Sequence, residues 1–468
     1  MEWLDESRWA DIHTFRYRGL RFDPSTGVAE FDYLHDGSAQ QLRFTDTIEF
    51  PLPCGDVDPA ALESFGRVLE LLYVAVGTVY YKGVAPGRVS VDAVPLAPAA
   101  TRWAEALYQR GLAEFAHRWT LEHVLDLPVE TEHRSPVGEF RELATAGRIP
   151  LVAIGGGKDS IVALEILHTA GFAPAMFAVE REPTPLLEEI MARGPGPGLL
   201  IRRQQDPEMT RLLRENAMRV GHVPVTAINA LAGAAAGALH GLGPVVLANE
   251  RSADESTMVW RGREVNHQWA KGSEAESLLD AALREHAGLG TGCFSLLRGL
   301  SELAICRLFA ATRDYDALLT SCNFAFRMSH QGRTQRWCND CAKCRFVFLA
   351  LASSMEKRRL LEIFAHDLLD DPSQLDGYRE LAGLAGHKPF ECVGEIAETR
   401  AAAAMLAEDP RWRRARVVRE LAAQLPPMPA ATADGVWQVD KAPAAPEAYQ
   451  HAVDQWVPVA PPLPHGGS

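Results

Sequence analysis

The chain has 468 residues, 47% of them hydrophobic and 23% charged, with a formal net charge of −14. That length allows two or three domains with buried cores, and the composition is ordinary for a soluble globular enzyme. The acidic balance excludes a partner held mainly through a phosphate backbone, so no nucleic acid is expected, while a small phosphorylated ligand in a local basic pocket stays open.

Met1-Glu2-Trp3-Leu4-Asp5-Glu6 lacks the basic and apolar regions of a secretion signal. A cytoplasmic location is therefore expected. Residues 13–50 alternate apolar and polar side chains in short runs, with turn residues at 23–27 and 35–37, which predicts a small antiparallel sheet. Helical patterns follow at 58–76 and 103–117, and residues 1–140 read as an N-terminal α+β domain.

From residue 149 the rhythm changes. Apolar runs at 151–154, 175–179, 199–202 and 245–248 alternate with amphipathic segments, and Asp206-Pro207 is a capped helix start. Strands alternating with helices predict a parallel sheet with flanking helices, an α/β fold, over residues 141–350. The weakly polar stretch from Pro224 to Ala248 contains Asn229, His240 and Pro244, so it reads as core helix plus strand with no membrane span. Residues 351–430 are predicted helical, and the Pro/Ala-rich tail, 431–468, is expected to be poorly ordered unless Trp437 and Trp456 dock it.

Three constellations carry chemistry. The first is Ile154-Gly155-Gly156-Gly157-Lys158-Asp159-Ser160, at the end of a predicted strand. Glycines let the backbone turn sharply and bring N–H groups close to a ligand, and a helix N-terminus favours phosphate. Lys158 adds a point charge. The spacing matches neither common phosphate loop. The second is Asn249-Glu250-Arg251-Ser252-Ala253-Asp254-Glu255, placed by its preceding strand at the same sheet edge, followed by Asn266-His267-Gln268-Trp269-Ala270-Lys271. Carboxylates there suit magnesium, Arg251 suits a transferring phosphoryl group, and His267 and Lys271 suit acid/base work. The third is Ser321-Cys322-Asn323 with Cys338-x-x-Cys341-x-x-Cys344. Four thiolates make a closed structural zinc site, although an iron–sulfur cluster, catalytic thiols and unliganded cysteines all stay open.

The glycine turn resembles the S-G-G-x-D-S pyrophosphate loop of ATP pyrophosphatases, with Gly155 where that group usually has serine. Together with Phe44-Thr45-Asp46-Thr47-Ile48-Glu49-Phe50-Pro51, 249–257, 266–271 and 337–346, the chain resembles the ATP-dependent UDP-N-acetyl-muramoyl-L-alanyl-L-glutamate epimerase family over roughly residues 30–350. The resemblance implies a HUP-like nucleotide-binding sheet, ATP and Mg2+ as cosubstrate and cofactor, AMP and pyrophosphate as products, and a UDP-linked muramoyl dipeptide as the small-molecule partner. In that scheme Gly155, Gly156, Gly157, Asp159, Ser160 and Asn249 cradle nucleotide phosphates. Lys158 and Arg251 balance their charge, and Asp159 and Asp254 approach magnesium. His267, Lys271 or a clustered cysteine exchanges the α-proton. A ligase forming an amide or nitrile, like 7-cyano-7-deazaguanine synthase, and a non-catalytic nucleotide sensor are the rivals.

Overall fold

The computed structural model describes residues 6–143, 147–322, 336–386, 388–440, 442 and 444–456. The predicted N-terminal strands form as β1 (Ile12–Asp23), β2 (Val28–Gly37) and β3 (Gln41–Glu49), an antiparallel meander. Its period-two pattern puts Ala29, Phe31, Tyr33 and His35 on one buried face. β4 (Val89–Leu96) pairs parallel with β1, and β5 (Val129–His133) pairs parallel with β4. The two-residue β6 (Arg141–Glu142) lies apart from this sheet.

The second half follows the predicted alternation. β7 (Leu151–Ala153), β8 (Ala175–Glu180), β9 (Gly198–Gln204) and β10 (Val245–Leu247) are parallel neighbours, in the spatial order β10-β7-β8-β9. A hairpin follows, β11 (Met258–Trp260) and β12 (Arg263–Val265). β13 (Leu289–Gly290) pairs with β6, and β14 (Cys293–Ser295) closes the parallel edge beside β10. β14 is not among the apolar runs that predicted strands. At three residues it is too short for a pattern, and all three are buried.

The two halves are not separate sheets. Among the described residues ten strands form one sheet, ordered β14-β10-β7-β8-β9-β3-β2-β1-β4-β5. The seam is the antiparallel pairing of β3 with β9, Thr47 opposite Gln204. Arg203 locks it with a two-pronged contact to Asp46, Nε to Oδ1 at 3.1 Å and Nη2 to Oδ2 at 2.9 Å, and the Tyr80 hydroxyl donates to Oδ2 at 2.8 Å. Such a fork fixes register as well as charge.

Each sheet face carries its own core. Along β7 the side chains alternate, Leu151 into one core and Val152 into the other. Helices Pro59–Tyr81, Pro98–Gln109, Val225–His240 and Ser273–Ala287 cover the first face, and helices Lys158–Thr169, Glu302–Ala311 and Ala342–Ala352 the second. The chain therefore leaves β7 toward one face and leaves β10 toward the other. Such a switch point opens a crevice at the carboxyl ends of the two strands, where ligands bind in open α/β sheets. Among the described residues no helix is long and apolar enough to cross a membrane.

Part of the tail is docked, the exception its tryptophans allowed. Helices Ala430–Gly435 and Glu447–Trp456 form, and the second lies along helix Lys158–Thr169. Tyr449 stacks on Phe172 with centroids 4.9 Å apart and meets Phe294 edge-on at 4.9 Å. Trp456 is buried, and residues 457–468 lie outside the described set.

Candidate active site

The glycine turn follows β7 as predicted, and helix Lys158–Thr169 starts directly after it. Gly157 is the N-cap and supplies no side-chain hydrogen bond, so the first-turn N–H groups stay available to an anion. Gly156 sits at φ +82°, where L side chains are strained. Gly155 is exposed, with open space where a Cβ would stand. Thr320 and Ser321 back the turn: Thr320 N donates to Gly156 O at 3.2 Å, and a Cβ on Gly157 would meet Ser321 Oγ at 3.3 Å. Ser160 caps locally, its Oγ donating to Gly157 O at 3.0 Å.

Lys158 does not point out of the turn. Its side chain is fully buried, and its ammonium donates to both Asp159 and Glu302. Lys343 Nζ reaches the other Glu302 oxygen at 3.4 Å. Burial alone would lower the Lys158 pKa, but the two carboxylates raise it well above its ordinary value. Burial would raise the Glu302 carboxyl, and Lys158 and Lys343 together hold it well below the usual range. Lys158 is thus an internal counter-ion under the turn. Asp159 is the half-buried carboxylate of the group.

The loop after β10 lies at the same edge, as predicted. Asn249 is buried, with Nδ2 donating to Ser295 Oγ at 2.9 Å. Arg251 turns toward the C-terminal segment, donating to Gly435 O at 3.2 Å and Asp440 Oδ2 at 3.2 Å, with Glu395 at 3.7 Å. Asp254 accepts from Ser273 N at 2.7 Å and Ser273 Oγ at 3.1 Å, so it fastens the start of helix Ser273–Ala287. Glu250, which sequence reasoning did not single out, is a buried carboxylate in this loop. Burial raises its pKa, and Lys271 opposes that rise. Arg298 braces the loop, donating to Glu250 O at 2.9 Å, to Lys271 O and to Glu276 Oε2 at 2.9 Å.

A second cluster joins four remote segments. His267 Nδ1 hydrogen-bonds Glu114 Oε2, and its ring lies 4.4 Å from that of His222. The His267 ring also hydrogen-bonds Cys392, and the Lys271 ammonium faces the same thiol. Burial would lower the His267 pKa, but Cys392 and Glu114 raise it to about 9. Burial would raise the Cys392 thiol, but Lys271, the His267 hydrogen bond and Lys343 bring it down to about 6. Burial and the neighbouring His267 push His222 down to about 3, so it is neutral at physiological pH. At neutral pH the pair is therefore a thiolate beside an imidazolium. Lys271 links this cluster to the turn, since its ammonium also faces Glu250, Asp159 and Glu302.

The segment bearing Cys392 arrives from the C-terminal helices and is pinned at each step. Lys388 pairs with Glu255, Phe390 takes Arg118 over its ring at 5.4 Å, and Glu391 Oε2 accepts from Lys343 N at 3.0 Å. Cys392, Glu114 and Glu302 carry no local motif, and Lys343 lies within the 337–346 run without being singled out. A cysteine outside the 338–344 cluster in a polar segment was the one available signal for the thiol.

Cys322, Cys338, Cys341 and Cys344 converge, their sulfurs all within 4.8 Å of one another. Cys338 and Cys344 sulfurs are 3.7 Å apart, and Cys341 and Cys344 sulfurs 3.5 Å apart. Backbone N–H groups of Cys338, Asp340, Cys341 and Cys344 point at these sulfurs at 3.3–3.5 Å. The set fits one tetrahedral thiolate-bound ion. Asn323 lies outside the described residues. A cavity of about 590 Å3 opens beside the second cluster, lined by Arg110, Asp254, Arg263, Asn266 and Trp269 among others.

Residues 6–296 match the family described as MurL N-terminal domain, and residues 318–435 match the MurL C-terminal domain. A protein of Salinispora tropica named UDP-N-acetyl-alpha-D-muramoyl-L-alanyl-L-glutamate epimerase is 49% identical over 89% of each chain. One of Micromonospora sp., with the same name, is 49% identical over 89% of this chain and 91% of its own. A third, of Xanthomonas oryzae pv. oryzae, is 37% identical over 89% of this chain and 90% of its own, again under that name. No solved structure matches. With both family domains present in order and full-length relatives this similar, the chain belongs to the MurL family of epimerases.

Proposed function

We propose that the protein inverts the α-carbon of the terminal glutamate in UDP-N-acetylmuramoyl-L-alanyl-L-glutamate, in peptidoglycan precursor synthesis, by adenylating the glutamate carboxylate with ATP. AMP and pyrophosphate leave, and hydrolysis of the activated acyl group frees the D-glutamyl product. The observation that carries this reading is the position of the Gly155–Ser160 turn. It sits at the switch point of the parallel sheet, with an exposed Gly155 and an uncapped helix start behind it. Family membership supplies the acyl substrate.

The chemistry explains why a nucleotide is needed. An α-proton next to an ionised carboxylate is very weakly acidic, because the carbanion would form beside negative charge. Adenylation removes that charge and lets the carbonyl delocalise the carbanion as an enolate. Each pKa unit gained is worth about 1.4 kcal/mol, so activation changes the rate by many decades.

The turn's N–H groups and the helix start hold the departing phosphates, and Asp159 is the carboxylate placed to share a magnesium ion. That ion, when bound, offsets charge on the phosphate oxygens. Lys158, buried with Glu302, pairs with Asp159 and fixes it under the turn. Lys271, whose ammonium faces Asp159, supplies the cationic group, and His267 in the neighbouring cluster an acid/base group. Arg110 and Arg263 in the neighbouring cavity, one on the N-terminal half, are suited to the UDP diphosphate. Cys322, Cys338, Cys341 and Cys344 would hold a structural zinc ion, which would anchor Thr320 and Ser321 against the turn.

Incubation with ATP, magnesium and the UDP-linked L-Ala-L-Glu precursor in heavy water tests the reading. AMP, D-glutamate and solvent deuterium at the α-carbon are expected together. ADP as the product, or AMP without α-deuterium, would overturn it.

A further inference from the structure

The geometry points to Cys392 as the group that takes the α-proton, held as a thiolate by the chain Glu114–His267 on one side and Lys271 on the other. The inference rests on the proposed reaction and assigns the base that sequence motifs leave open.

Three independent placements meet at this sulfur. Glu114 lies on helix Ala113–Trp119, where its side chain is 2% exposed and also pairs with Arg118 at 2.7 Å. It orients His267 through Nδ1, and His267 N is fixed by Thr257 Oγ1 at 3.3 Å. The ring is further confined by His222, 4.4 Å away. The segment 388–393 is folded over it: Val393 N donates to Glu391 O at 2.9 Å, and Val393 is buried. Cys392 itself stays half-buried and unbonded to another cysteine. A structural cysteine is normally enclosed by apolar atoms, whereas this one is ringed by Lys271, Lys343 and His267, the environment of a reactive thiolate.

The step balances within the chain's own groups. The Cα–H bond breaks, an S–H bond forms on Cys392, and the electron pair moves into the adenylated carbonyl. The enolate then collapses as a new C–H bond forms on the opposite face, with a proton from the Lys271 ammonium. Transfer of the thiol proton to the Lys271 amine restores thiolate and ammonium. Lys271 suits this return because it faces both Cys392 and the carboxylates at the turn.

Cys392→Ala and Cys392→Ser are compared with the wild-type protein in heavy water, following AMP release, α-deuterium and inversion separately. With AMP release retained, inversion and α-deuterium are expected to fall about 10²–10⁴-fold. Inversion at the wild-type rate in both variants would overturn the assignment, as would loss of AMP release in step with inversion in folded variants. A wild-type protein that releases no AMP would instead sink the proposed function. Alkylation by iodoacetamide, read peptide by peptide, is independent of substrate: Cys392 is expected to react faster than the exposed Cys54 at pH 7, with a rate that rises through pH 6. A Cys392 slower than Cys54 at pH 7 would reject the thiolate directly.

Discussion

Lys158 turns its ammonium inward onto Glu302, a partner 144 residues away in sequence, and neither side chain is more than 1% exposed. Removing one member of a buried pair leaves an uncompensated charge, which costs about 3–5 kcal/mol. Asp159 still faces Lys158, so Glu302→Gln should sit near the lower end, read as a shift in the urea midpoint. The pH sign follows from the depressed Glu302 pKa. Its stabilisation is present above the unfolded carboxyl value, about 4.3, and is lost as pH falls below it. The variant should therefore lose least relative to wild type in acid. An equal deficit at pH 3.5 and pH 7 would contradict the pairing.

Glu398 behaves in the opposite way. It is fully buried, accepts from Leu303 N at 3.0 Å, and has its other oxygen unpartnered among the described residues. Burial, with Glu302 and Glu395 nearby, raises its pKa to about 8. A carboxyl whose folded pKa lies above its unfolded value favours the folded state at low pH and disfavours it as pH climbs through the folded value. Glu398→Gln, neutral throughout, should raise Tm at pH 8.5 and change it little at pH 5. A lower Tm at pH 8.5 would mean that the ionised form is wanted in the fold.

The three glycines of the turn are not equivalent. A serine at Gly155 enters open space and restores the hydroxyl usual in ATP pyrophosphatases, whereas Gly156 holds φ +82°. Gly155→Ser should keep the fold and lower KM for ATP in the AMP-release assay. Gly156→Ser meets a backbone penalty of about 1–2 kcal/mol and should lose most AMP formation. If both substitutions abolish activity equally, Gly155 is closer to bound nucleotide than open space implies.

What was legible in the chain was local. The alternation from 149 onward announced the parallel strands, and three glycines before Lys158-Asp159-Ser160 announced the turn from β7 into a helix start. What was not legible depends on segments meeting across long separations, as with Glu114 and His267, 153 residues apart. The single sheet was hidden because its seam, β3 against β9, joins two runs that look complete alone. In the tail, composition suggested poor order and only the tryptophans hinted at docking. Its apolar Tyr449, Ala452, Val453 and Trp456 stand at i, i+3, i+4 and i+7, a helical stripe inside a Pro/Ala-rich sequence.

That stripe carries a test. Helix Glu447–Trp456 covers helix Lys158–Thr169, which begins at the turn. Burying a large apolar side chain is worth about 1.5–3 kcal/mol. Tyr449→Ala should lower stability by that order and raise KM for ATP, because the supported helix loosens. Unchanged stability would return the tail to a decorative role.

The four-cysteine site yields the last prediction. Zinc–sulfur bonds of about 2.3 Å in a tetrahedron put sulfurs about 3.8 Å apart, and the observed separations are 3.5 Å and 3.7 Å. Thiols crowded this closely resist ionisation without an ion, and Cys341 is raised to about 12 by its hydrogen bond to Cys322 and by burial. Four N–H groups aimed at the sulfurs compensate thiolate charge once an ion binds. Elemental analysis should therefore find one zinc per chain, and cobalt substitution should give a thiolate charge-transfer band. Cys344→Ser should lose the metal and much of the AMP release, since Cys322 directly follows Thr320 and Ser321 behind the turn. Cys54→Ser, at an exposed position, should keep both. Four titratable thiols in active, metal-free protein would show that packing alone holds the cluster.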